Sequence, residues 1–261
     1  MNENEKCRKM PEADKSGRYD RQLPLFGAAG QSRLTNASVF IAGTGGLGSP
    51  VATYLAAAGV GRIVLLDCDS VERTNLNRQF LHHEKDIGRL KAESGCGKLK
   101  SFNPEIDISA VCERLTRENA AALVGDCRLI VDALDNDETR RILAEYAVAA
   151  KKPYFHAAVS GYSGQLASFY PDEGPCYFCM FPESEEEKKR IFPILGATAG
   201  IIGAMQANEI IKYITDARAR HVGKLFVWDG LAGTLDTIET ARAEDCPFCR
   251  GNGNENREGK I

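Results

Sequence analysis

Gly43-Thr44-Gly45-Gly46-Leu47-Gly48 fits G-x-G-x-x-G, directly after the apolar run Ser38 to Ala42 and directly before an apolar, helix-forming run from Leu47 to Ala58. Glycines at this spacing let backbone N–H groups approach phosphate oxygens, and the helix N-terminus adds partial positive charge. Asp67 closes the next apolar run, Arg62 to Asp67, about 20 residues on, where an acid accepts a ribose hydroxyl. A glycine turn that only packs helix on strand is the plainer alternative. From this motif alone, a nicotinamide dinucleotide is the first candidate ligand.

The residues that follow redirect the reading. Asp69 to Gln79 is a polar loop at the carboxyl end of a strand, where ligands of open α/β sheets sit. Within it Asp69, Thr74, Asn75, Asn77, Arg78 and Gln79 offer groups suited to phosphate and sugar. Lys91 follows at the start of a helical stretch. A second cation exceeds what a dinucleotide's pyrophosphate needs, but suits a triphosphate losing its terminal two phosphates. Asp135, beside Asn136 at the end of another apolar run, is placed for magnesium, which prefers one or two carboxylates plus substrate phosphates. Read singly, each has a bland alternative: Arg78 as a solvated side chain, Asp135 as a helix cap. No G-x-x-x-x-G-K-[ST] occurs, so this is not a P-loop.

Four of the nine cysteines form two pairs, Cys176-x-x-Cys179 and Cys246-x-x-Cys249. In a long chain opening on a polar segment this favours metal over a disulfide framework. Two C-x-x-C turns suit a closed tetrahedral zinc site, structural rather than catalytic; redox cysteines are the alternative. Cys68 lies nearest the proposed crevice.

The elements that must position these residues alternate. Apolar strands at Ser38–Ala42, Arg62–Asp67, Ile106–Cys112, Leu129–Ala133 and Tyr154–Val159 are separated by helical stretches at 47–58, 89–102, 117–124 and 138–150. That pattern predicts α/β architecture: a doubly wound, Rossmann-like, mostly parallel sheet covered on both faces. Antiparallel strands are expected at 164–170 and from Gly174 onward, then a charged stretch (183–190), a long helix at 198–214, and strands at 224–228 and 234–239. The expected organisation is one domain over 18–249, with a nucleotide-binding half (18–160) and a smaller antiparallel half carrying the zinc site (161–249). Residues 1–17 and 250–261 read as mobile tails.

Composition excludes other classes. The 261 residues are 43% hydrophobic and 26% charged, with 33 basic against 36 acidic side chains and a net charge of -3. There is no basic surplus for gripping a nucleic-acid backbone and no apolar run of roughly 18 residues for a membrane helix. Met1 to Gly17 is polar and unlike a secretory signal, so a cytoplasmic protein is expected.

In order, Arg18-Tyr19-Asp20-Arg21-Gln22, the glycine turn, the Asp67-x-Asp69 to Gln79 loop, Lys91, Asp135-Asn136 and the two C-x-x-C pairs resemble the ThiF/MoeB/HesA group, prokaryotic relatives of the ubiquitin-activating enzyme. The resemblance spans roughly Gly17 to Cys249. It implies an ATP-dependent adenylyltransferase that activates the C-terminal Gly-Gly carboxylate of a ubiquitin-like sulfur-carrier protein and releases pyrophosphate. By the same resemblance Gly43, Gly45 and Gly46 approach the nucleotide, Asp67 holds the ribose, Asn75 and Arg78 contact phosphates, Lys91 stabilises charge at the α-phosphate, and Asp135 positions magnesium. Arg21 resembles an arginine that enters the neighbouring subunit's site, implying a homodimer. Since the attacking carboxylate is ionised at neutral pH, no protein base is required, and His82, His83, His156 and His221 are expected to be structural. The chain departs from part of the group at Lys188 to Gly196, which lacks the cysteine that members forming covalent sulfur or thioester links carry. The implied enzyme stops at the acyl-adenylate and a separate sulfurtransferase supplies sulfur; the alternative is that a scattered cysteine substitutes. The competing readings are an NAD-dependent oxidoreductase, which leaves Arg21, Arg78, Lys91 and Asp135 without roles, and a non-catalytic activating-enzyme-like partner, expected to have lost them.

Overall fold

The computed structural model describes residues 17–182, 193–216 and 220–249. The proposed tails and the charged stretch 183–190 lie outside the described residues, apart from Gly17. Five parallel strands, β1 (Ser38–Ala42), β2 (Arg62–Leu66), β3 (Asp107–Val111), β4 (Leu129–Asp132) and β5 (Tyr154–Ser160), are continued by antiparallel β6 (Ser163–Phe169), β7 (Lys224–Asp229) and β8 (Thr234–Glu239). All eight belong to one sheet in the order β3-β2-β1-β4-β5-β6-β7-β8. β1 and β4 are neighbours although successive connections leave β1 in opposite directions, so the sheet's topological switch falls between them. In open α/β sheets the ligand crevice lies at such a point.

The parallel strands are nearly all apolar because helices cover both faces. One face buries Val39, Ile41, Ile63, Leu65 and Val131 against α2 (Gly48–Ala58), α3 (Lys91–Phe102) and α7 (Gly196–Thr215). The other buries Phe40, Val64 and Ile130 under α4 (Ala120–Val124) and α5 (Asp137–Ala149), which contributes Leu143. Gly203 lets α7 sit against α2, since a Cβ there would lie 2.4 Å from Pro50 Cγ.

One expectation changes. The segment after Gly174 is not a strand but a four-residue helical turn, α6 (Tyr177–Met180). One turn brings positions i and i+3 to the same side, which is what Cys176 and Cys179 require. A first helix, α1 (Leu23–Thr35), also precedes β1; Gly27 kinks it at φ 66° and only Gly30 and Leu34 are buried, so it has no apolar stripe to announce it. Among the described residues, no helix is long and apolar enough to cross a membrane.

Close backbone approach fixes the turn between β1 and α2. A Cβ on Gly43 (φ 92°) would lie 2.5 Å from the Ala133 carbonyl oxygen, and one on Gly48 only 2.0 Å from the Gly43 carbonyl oxygen. Gly48→Ala must push the turn open, and is expected to lower stability by about 1–3 kcal/mol in urea unfolding. An unchanged midpoint would show that the turn has slack.

Candidate active site

The carboxyl ends of β1, β2 and β4 bring most of the singled-out residues to one edge. Asp67 follows β2 and faces the glycine turn: the Thr44 backbone N–H and hydroxyl both donate to Asp67 Oδ2, at 2.8 and 2.9 Å. Its Oδ1 accepts the Asp69 N–H at 3.0 Å. The acid expected to hold a ribose therefore also pins the phosphate-approaching turn to the neighbouring strand.

Lys91 opens α3 and is almost wholly buried, while its partner Asp69 is exposed; Lys91 Nζ donates to Asp69 Oδ2 at 2.9 Å. The Lys91 N–H also donates to the Asp69 carbonyl at 2.8 Å, so the loop and the helix start are tied by backbone as well as charge. An exposed carboxylate is a replaceable counterion, and an arriving phosphate can take its place on the ammonium.

In the intervening loop, the Asn75 side-chain oxygen accepts the Glu72 N–H at 2.9 Å and closes the 3-10 turn Arg73–Asn75. The Arg78 guanidinium donates to the Thr74 carbonyl at 2.9 Å and to Asn77 Oδ1 at 3.0 Å. Its stem passes the turn: a Cβ on Gly46 would meet Arg78 Cγ at 3.6 Å and Ala199 Cβ at 3.4 Å. Arg78 thus runs between the glycine turn and the N-terminus of α7, an arrangement with no sequence signature because α7 lies more than 100 residues downstream. Buried Gln79 sets its amide nitrogen beside Gly45, 3.4 Å from where a Cβ would stand, and its Oε1 has no partner among the described residues.

Across the switch, Asp135 is exposed at the crevice edge. Asn136 caps α5, its Oδ1 accepting the Thr139 N–H at 2.9 Å. Arg21 does not join this group. Tyr19 packs on Gly59, and the Gln22 amide donates to the Ala58 carbonyl at 2.8 Å, which holds the arginine's segment at the C-terminal end of α2. Eleven residues of helix separate that end from the turn, about 16 Å, beyond an arginine's reach into its own crevice.

His82 had no sequence signal beyond being a histidine, yet it braces the site. Fully enclosed, it faces Ser94 Oγ of α3 through Nδ1 at 3.1 Å and the Thr44 carbonyl through Nε2 at 3.2 Å, linking the glycine turn to the helix that carries Lys91. His156 is also buried, and His83 and His221 lie outside the crevice.

The four cysteines of the two pairs converge at the far end of the sheet. Their sulfurs are 3.8 Å (Cys176–Cys179), 3.6 Å (Cys176–Cys246) and 3.4 Å (Cys179–Cys249) apart, and all four lie within 4.8 Å of one another. A tetrahedron with bonds of about 2.3 Å has edges of about 3.8 Å, so the cage fits zinc and leaves no open position. Burial pushes the Cys176 thiol up; Cys246 resists its own burial and is held at about 7 by the N–H groups of Cys249 and Phe248 and by neighbouring thiols. Beside this cage a cavity of about 310 Å³, lined by α5, Tyr154, Phe169 and Phe248, lies at the amino end of β5, away from the crevice.

Residues 19–248 match the ThiF family. The chain belongs to the ThiF family of E1-like adenylyltransferases. This ThiF-family chain is 36% identical to the SAMP-activating enzyme E1 of Haloferax volcanii over 244 residues, which is 91% of this chain and 90% of that protein. It is 42% identical to the adenylyltransferase and sulfurtransferase MOCS3 of Anopheles gambiae over 243 residues, 90% of this chain, and spans 55% of that relative, about half its length. The structure of E. coli MccB with ATP superposes with a TM-score of 0.82 at 26% identity, covering 90% of this chain and 75% of MccB.

Burial lowers the pKa of both His82 and His156. Between the folded and unfolded values the folded protein binds fewer protons, so their contribution to stability is complete above the unfolded value, about 6.5, and is lost as pH falls from there through the lowered folded values. Asp86, whose burial is outweighed by Lys98 so that it titrates at about 2, acts only in a lower window, between 3.8 and that value. The urea midpoint is therefore expected to fall between pH 7 and 5.5, and to fall less steeply in His82→Gln. An identical slope in the variant would contradict this assignment.

Proposed function

We propose that this chain activates the C-terminal Gly-Gly carboxylate of a ubiquitin-like sulfur-carrier protein with ATP, forming an acyl-adenylate and pyrophosphate. One observation carries the reading: Arg78 passes the glycine turn at the switch point and Lys91 is held on Asp69 beyond β2, while exposed Asp135, taking the Asn136 amide at 3.5 Å, lies just beyond β4 on the other side of the switch. The relatives that act on such carriers, and the ATP in MccB, agree with it.

The reaction joins two anions, so the protein's task is to hold them together and absorb the charge that develops. Backbone N–H groups of Gly45 and Gly46 and the N-terminus of α2 receive the phosphates, those of Gly43 and Thr44 being already given to the Leu66 carbonyl and Asp67. Asp67 accepts the ribose hydroxyls while still holding Thr44. Asn75, Asn77, Gln79 and Arg78 line the phosphate path, and Thr74 and Asn136 frame it. Lys91 exchanges Asp69 for the α-phosphate as charge accumulates there. Magnesium, when bound, neutralises phosphate charge. Among the described residues, Asp135 belongs to no cluster of three metal-ligating side chains, which fits an ion taking most of its ligands from nucleotide and water. Arg21, too distant for its own crevice, completes that of a second copy in a homodimer. The carrier docks on the antiparallel half, and a separate sulfurtransferase receives the activated carboxylate. The four-cysteine cage holds a structural zinc.

ATP–pyrophosphate exchange with magnesium tests the reading. Exchange is expected only with a carrier ending in Gly-Gly, to vanish in Arg78→Ala, and to fall about 10²–10³-fold in Lys91→Ala. Binding of NADH in place of ATP, or full activity in both Lys91→Ala and Asp135→Ala, would overturn it. Elemental analysis is expected to find one zinc per chain.

A further inference from the structure

The Asp135 loop is held from beneath by a largely buried pair of charges. Asp132, the last residue of β4, is fully buried. Its Oδ1 accepts the Leu134 N–H at 3.1 Å; its Oδ2 accepts Arg140 Nε–H at 2.9 Å and His156 Nδ1–H at 2.6 Å. Arg140, on the first turn of α5, donates its second nitrogen to the Leu134 carbonyl at 2.5 Å. Both peptide groups flanking Leu134 are therefore gripped, and the second of them leads directly into Asp135. Gln206 of α7 adds a hydrogen bond to the Asp132 carbonyl at 2.9 Å.

His156 enters as a neutral donor. Its other nitrogen, Nε2, faces the Gln165 amide nitrogen at 3.4 Å and accepts from it. Burial holds its pKa down, while Asp132, although buried, is kept ionised by Arg140 and His156. The cluster thus contains one negative and one positive charge. Well-packed apolar residues fill such a space at no loss of stability, so a buried ion pair is poor evidence of a purely stabilising role. What apolar residues do not supply is a fixed direction for the two peptide groups.

We propose that Asp132 and Arg140, steadied by His156, are positioning residues that fix where the Asp135 carboxylate meets the divalent cation of the nucleotide complex. The inference rests on the proposed role of Asp135. Outer supports of metal-binding carboxylates are worth about 10–100-fold in metal affinity.

The test is binding of a non-hydrolysable ATP analogue to the full chain, titrated with magnesium and repeated in EDTA. Arg140→Lys keeps the charge but cannot span both partners. It is expected to raise the magnesium concentration at half-effect about tenfold, with EDTA binding unchanged. The shift is expected to disappear in the Asp135→Ala background, because the grip acts through that carboxylate. His156→Leu is expected to shift magnesium dependence in the same direction and His156→Asn, whose amide still donates to Asp132, to restore it; this pair decides the matter if Arg140→Lys does not fold. Magnesium dependence at the wild-type value in folded Arg140→Lys, or equal weakening with and without magnesium, would overturn the inference while leaving Asp135's role intact. Magnesium dependence unaltered in Asp135→Ala would overturn both.

Discussion

Everything at this site depends on how closely three stretches of backbone meet between β1, α2 and β4. The Gly43 and Gly48 positions have no room for a Cβ, because the Ala133 and Gly43 carbonyls occupy it. Where they meet, β1 and β4 part company at the switch point, leaving N–H groups exposed at the head of α2. Asp67 then ties this turn to β2 and His82 ties it to α3. The turn is thus the hub to which each functional segment is fastened, and its precision is inherited by Lys91, Arg78 and Asp135.

The electrostatic logic follows. A carboxylate and a triphosphate repel one another, and bringing them together asks for fixed positive charge rather than for a base. The chain keeps Lys91 desolvated but neutralised by an exposed acid, so the ammonium is available without being stranded. Arg78 is similarly parked on the Thr74 carbonyl and Asn77. Both cations are held by partners that phosphate oxygens can outcompete. The four-cysteine cage and the polar crevice are separate: the cage closes the far end of the sheet, and Tyr177 beside it reaches back to Asp137 at the start of α5.

The sequence announced those parts of this structure whose signals are local. A strand, glycine turn, helix and acid at fixed intervals define one half of the crevice, and apolar runs locate the parallel strands to within a residue or two. The two C-x-x-C pairs named the thiolate cage, although the helical turn under Cys176 and Cys179 had been expected as a strand. What stayed hidden depends on contacts distant in sequence. α1 carries no apolar periodicity. His82 matters only because Thr44 and Ser94 face it. Asp132, Arg140 and His156 belong to three elements, and nothing in their spacing marks them as one cluster. The contact of Asp69 with Lys91, 22 positions on, is likewise invisible in the spacing.

In the proposed reaction the carrier's own carboxylate attacks the α-phosphorus at this crevice. Labelling that carboxylate with oxygen-18 tests it most directly. After turnover with ATP and transfer of the acyl group to a sulfur nucleophile, the account predicts label in AMP and none in pyrophosphate. Label in pyrophosphate, or unlabelled AMP with the carrier consumed, would contradict it.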